Sequence, residues 1–101
     1  MHMHVIGGQD LVLGFKLAGV RGDVVRTPEE IVAAIESAGA DPNVAVILVS
    51  KAVAMHAKAQ IAHLRVRQGY PIVLEIAEPG ESAKDPEALM RFVGDSIGLT
   101  L

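Results

Sequence analysis

Cysteine is absent from this sequence, and so is tryptophan. Without cysteine the chain forms no disulfide, offers no thiolate nucleophile and holds no zinc through sulfur, so a reducing cytoplasmic setting is expected. Only Phe15, Tyr70 and Phe92 are aromatic although half of the residues are hydrophobic. The core must therefore be built from Val, Ile, Leu, Ala and Met, which suits helices packed on a parallel sheet. A net charge of −3 is spread along the chain without a basic stripe, and three aromatics make no stacking platform; nucleic acid is not an expected partner. No apolar run approaches the roughly 20 residues that span a bilayer. The first residues also lack the charged start and apolar stretch of a signal peptide, so any membrane association is expected to be indirect.

The familiar catalytic constellations are missing as well. A dinucleotide fingerprint needs Gly-x-Gly-x-x-Gly after the first strand, whereas Gly7-Gly8 is followed next by Gly14. No Gly-x-x-x-x-Gly-Lys-Ser/Thr occurs, so the chain has no phosphate loop of its own. A phospho-receiver needs clustered acids after strand one and an aspartate after strand three; here stand Asp10 alone and Val49-Ser50-Lys51. His2 and His4 alternate onto one side of an extended segment but lack a third ligand. His56 and His63 would sit about 10 Å apart on one helix, too far to share an ion. Catalytic residues, metal and cofactor are accordingly expected to be none.

What is present is an alternation of strands and helices in 101 residues, one domain that buries roughly 60–65% of its unfolded surface. His4 to Gly7 reads as a first strand, with a helix over 11–20 that Asp10 could cap. A short second strand follows at Asp23 to Arg26. Thr27-Pro28-Glu29-Glu30 is a capping box with proline at the first helical position, opening a helix over 28–38 that Gly39 ends in a left-handed turn. Val44 to Val49 is apolar on both faces, as a central strand requires. Residues 50–67 read as one alanine-rich helix, Ile72 to Ile76 as a fourth strand, and Asp85-Pro86 as the cap of a last helix reaching Ile97. The expected fold is α/β, a small flavodoxin-like three-layer arrangement with a four-stranded parallel sheet in the order 2-1-3-4. Its expected divisions are a Rossmann-like domain over 1–76, a loop over 77–84, and a helix with tail over 85–101, the helix open to being semi-detached.

Two helices carry more apolar surface than a small core needs. In the first, Leu11, Phe15 and Ala18 share one side while Leu13, Leu17 and Val20 lie opposite, so a second stripe must meet the last helix, another subunit or water. The last helix presents Leu89, Phe92, Val93 and Ile97, a face that either packs on the domain or serves as an interaction helix. Leu13, Phe15, Leu17, Val20, Leu89, Phe92, Val93 and Ile97 are the candidate partner-binding residues.

Val5-Ile6-Gly7 followed by Leu13-Gly14-Phe15-Lys16-Leu17-Ala18-Gly19-Val20 resembles the opening strand and helix of the F subunits of A/V-type rotary ATP synthases. Val46 to Ser50 with Lys51-Ala52-Val53-Ala54, and Ser96-Ile97-Gly98, are similar to later parts of that family. Gly8-Gln9 departs from it, standing where more acidic character is expected, and Met1-His2-Met3-His4 is an unusual start. The resemblance implies a non-catalytic part of the central rotor stalk that binds the coiled-coil D subunit beneath the nucleotide-binding head. It also implies contact with other stalk and head subunits and a cytoplasmic place peripheral to the membrane. A free-standing flavodoxin-like signalling or ligand-binding domain without a phospho-acceptor aspartate is the alternative.

Overall fold

In the computed structural model, residues 1–67, 69–78, 87, 91, 93 and 94 are described. The elements are β1 (His2–Gly7), α1 (Gln9–Leu17), β2 (Arg21–Val24), α2 (Pro28–Ala40), β3 (Val44–Ser50), α3 (Lys51–Ala54), α4 (Lys58–Val66) and β4 (Ile72–Ile76). The four strands form one all-parallel sheet in the order β2-β1-β3-β4. The expected α/β fold and strand order are those observed.

Apolar residues on both faces of the central strands force helices onto both sides. On one face Ile6, Val44, Ile47, Val49 and Val73 pack with Ile31 and Ile35 of α2 and with Val53, Ile61 and Leu64 of α3 and α4. On the other, Val5, Leu48 and Ile76 pack with Leu11, Val12 and Phe15 of α1 and with Val93. Val93, helical and 1% exposed, is thus part of the core. The Asp85-Pro86 cap and most of the last helix lie outside the described residues.

Helix α2 begins as its sequence predicts. The Thr27 hydroxyl accepts from the Glu30 amide at 3.1 Å, and the Glu30 carboxylate accepts from the Thr27 amide at 3.1 Å and the Arg26 amide at 3.0 Å. That reciprocal bonding also explains why β2 lies at Arg21–Val24 rather than 23–26. The amides of residues 26 and 27 are engaged by Glu30, so neither joins the ladder, and β2 pairs His4 with Arg21 through to Gly7 with Val24.

Three other expectations are corrected. Gly39 does not end α2: the helix runs on to Ala40, and Gly39 serves close packing, because a Cβ there would come within 2.7 Å of Leu64 Cδ2 on α4. Among the described residues the left-handed glycines are Gly19, which follows the Ala18 C-cap of α1, and Gly69, each with φ of 87°. Helix α1 is capped by Gly8 and not by the Asp10 side chain, and it ends at Leu17; Asp10 lies in the first turn, where the helix dipole favours a carboxylate. The helix expected over 50–67 is two. Ser50, fully buried, accepts from the Val53 amide at 3.1 Å to start α3, and the chain turns at Met55 and His56 before α4. The break keeps Val53 and Ala54 at the end of β3 while Ala57, Ile61 and Leu64 stay on the sheet face.

Candidate interaction surface

Open α/β sheets commonly take ligands at the carboxyl ends of the strands, at the point where strand order reverses, here between β1 and β3. In this molecule the amide of Gly8, at the start of α1, donates to Glu78 Oε1 at 3.0 Å. A carboxylate delivered from the end of β4 therefore occupies the positive end of α1 that would otherwise favour an anion. Only tertiary structure brings this carboxylate there, from 70 positions along the chain. Gly7 is equally committed, because a Cβ would lie 2.6 Å from Leu11 Cδ2.

The histidines are placed as individual groups. His4 Nε2 lies 2.9 Å from Asp23 Oδ2 and ties β1 to β2. Among the described residues no cluster of three acidic, histidine or cysteine side chains is arranged to hold a metal. His56 lies in the turn after α3 and His63 on α4, so they do not share the single helix expected from sequence. His63 instead lines an open hollow of about 350 Å³ between α2 and α4, with Glu36, Leu64 and Arg67. Arg67 Nη1 donates to the Gly39 carbonyl at 3.1 Å across that gap.

The candidate contact residues separate sharply on burial. Phe15 is 0% and Val93 1% exposed, both inside the core against Val5 and Leu48, so neither side chain reaches a partner in this conformation. Leu13 and Leu17 are 44% and 45% exposed on the outer side of α1. Val20, beyond the end of α1, is half-buried against the same core. Ala18, paired on the wheel with Leu11 and Phe15, is exposed because the helix ends before it, and Val12 takes the inward place. Leu89, Phe92 and Ile97 lie outside the described residues. Helix α1 thus has one buried stripe, Leu11, Val12 and Phe15, and an outward pair, Leu13 and Leu17.

A second apolar surface had no counterpart in the sequence reading. Met55, Val66, Tyr70, Ile72 and Leu74 are all exposed on or near β4, Ile72 and Leu74 on the sheet face of Ile76 and Met55 and Val66 on the α4 side. On the α4 side an open hollow of about 420 Å³ is lined by Met55, Ile61, Arg65, Val66 and Glu75. The signal available in sequence was the edge position implied by the order 2-1-3-4, since an edge strand is covered less completely than a central one.

Residues 3–93 match the family of ATP synthase (F/14-kDa) subunits. The crystal structure of the F subunit of the V-type ATP synthase from Archaeoglobus fulgidus is similar to this chain, with a TM-score of 0.63 and 25% sequence identity. The match covers 75% of this chain and 96% of that one. No curated protein sequence matches the chain.

Proposed function

We propose, because the chain belongs to the family of ATP synthase (F/14-kDa) subunits, that it is a non-catalytic part of the central stalk of a V-type ATP synthase. In this reading it binds the coiled-coil D subunit and helps couple ATP synthesis or hydrolysis to ion translocation. The observation that carries the reading is the family match over residues 3–93. The amide at the start of α1, engaged by the chain's own Glu78, agrees with a part that contributes contact surface and leaves nucleotide chemistry to other subunits. No helix among the described residues is long and apolar enough to cross a membrane; the proposed attachment to the membrane runs through the assembly.

Leu13 and Leu17 are the proposed side chains of α1 that face the coiled coil, with Val20 at the margin. They are apolar, half-exposed and one helical turn apart, the spacing that meets a stripe on a second helix. Leu89, Phe92 and Ile97 extend the proposed contact set. Phe15 and Val93 support the surface from inside the core.

Co-expression with the coiled-coil stalk partner of a V-type ATP synthase tests the reading. A stoichiometric complex that survives size-exclusion chromatography is expected, and it should be weakened by Leu13→Glu with Leu17→Glu while the isolated variant keeps its melting temperature. Failure to co-purify with the coiled coil would overturn the stalk role. Co-purification unaffected by the double variant would leave that role standing and remove α1 from the contact.

A further inference from the structure

Five of the eight large apolar side chains exposed among the described residues belong to the surroundings of one strand, β4. Met55 and Val66 border it on the α4 side, while Ile72 and Leu74 project from its other face. In the order β2-β1-β3-β4 this strand is an edge, and among the described residues no strand pairs with its outer side. A fuller flavodoxin-like sheet would continue there with a fifth strand.

The edge has a definite hydrogen-bonding phase. Arg65 Nη2 on α4 reaches the Val73 carbonyl at 3.4 Å and Glu75 Oε2 at 3.2 Å. A side chain reaches the Val73 carbonyl from outside the sheet only if that carbonyl points away from β3. Backbone direction alternates along a strand, so the outward groups of β4 belong to Val73 and Glu75, and those of Ile72, Leu74 and Ile76 point toward β3. At 3.4 Å the Arg65 bond is long, and it leaves this carbonyl open to a better donor.

We propose that the outer edge of β4 is a homotypic interface, at which a second copy of this chain pairs β4 with β4, antiparallel, about a two-fold axis at Leu74. The outward residues 73 and 75 are symmetric about position 74, so Val73 of each copy exchanges two N–H···O bonds with Glu75 of the other. Leu74 then faces its own copy as a non-hydrogen-bonded pair, with Cα atoms about 4.5 Å apart. Ile72 lies across from Ile76, and three apolar positions in the sequence Ile72-Val73-Leu74-Glu75-Ile76 become mutually covering. On the α4 side, Glu75 of one copy lands beside Val73 of the other, within the reach of that copy's Arg65, so the charges match as well. The strand is thus complementary to itself in backbone phase, apolar pattern and charge, which singles out a second copy over an unrelated extended segment. Only five residues pair, so the dimer is small and dissociates on dilution.

The inference is independent of the stalk assignment. Sedimentation velocity of the full chain between about 10 µM and about 1 mM, the range in which small interfaces dissociate, is expected to show the mass rising toward two copies. Leu74→Lys alters an exposed side chain and is expected to abolish that rise while leaving the circular dichroism and melting temperature unchanged. Because the chain has no cysteine, Leu74→Cys introduces a single thiol. Its symmetric pair lies within disulfide range, and air oxidation is expected to give a covalent dimer, whereas Leu13→Cys on α1 does not. A chain that stays monomeric at the highest concentration overturns the proposal. So does a dimer that persists in Leu74→Lys, or one that cross-links equally well through Leu13→Cys.

Discussion

Gly22→Ala is the sharpest test of how β2 is seated against β1. Gly22 is half-buried in β2 and pairs with Val5 on β1. A Cβ there would overlap Val5 Cγ1, lie 2.8 Å from the Val5 carbonyl oxygen and come 3.2 Å from Val12 Cγ1. The methyl of Val12 can give by a few tenths of an ångström. The carbonyl cannot, because it belongs to a central strand. Overpacking of this kind costs about 1–3 kcal/mol, and contact with backbone places the expected loss in the upper half of that range. Removing a glycine also restricts the unfolded chain, which returns about 0.4–1 kcal/mol. The net expectation is a loss of about 2 kcal/mol, or about 8–16 °C in melting temperature for a domain of this size. Urea denaturation should show the midpoint falling by about 1 M with an unchanged slope. Val5→Ala in the same background removes the side-chain overlap but leaves the carbonyl contact. The double variant should therefore lose less than the sum of the singles, a coupling of at least about 0.5 kcal/mol. If Gly22→Ala unfolds within about 0.5 kcal/mol of the parent, the close approach of β2 to β1 at Gly22 is wrong.

Other measurements separate surface from core. Phe15→Ala should cost about 3–5 kcal/mol in chemical denaturation, because a fully buried ring is lost. Leu13→Lys on the same helix should stay within about 0.5 kcal/mol, and equal losses would contradict the single buried stripe of α1. Thr27→Ala should cost about 0.5–2 kcal/mol by removing the reciprocal cap of α2, with faster amide exchange confined at first to the start of that helix.

Sequence reading was most accurate where local chemistry decides the outcome. Thr27-Pro28-Glu29-Glu30 carries its own hydrogen-bond partners, so the helix start follows from four residues. The run from Val44 to Val49 states its double burial in its composition, and with it the central place of β3. The parallel order then follows from the alternation of strands and helices. Reading failed where a residue answers to something distant in the chain. Gly39 has the chemistry of a helix terminator, but Leu64 needs the space. The alanine-rich segment after Ser50 gives no local cause for a break, and the division into α3 and α4 comes from fitting both pieces to the sheet end and face. On α1 the wheel separated two apolar sides but could not say which met the sheet along its whole length. Phe15 and Leu13 are both large apolar residues, and only the seating of the helix over β1 and β2 buries one and exposes the other.

By itself the sequence determined the aliphatic core, the α/β class, the strand order and the resemblance to a stalk component, because each rests on spacing and residue type along neighbouring positions. Tertiary structure alone decided which apolar side chains are left for partners. Exposure is a property of what stands opposite a residue: the sheet takes Phe15 and Val93 inward, the edge position leaves Ile72 and Leu74 uncovered, and Glu78 crosses from the end of β4 to the amide of Gly8. The last of these joins residues 70 positions apart, a relation that no local pattern encodes.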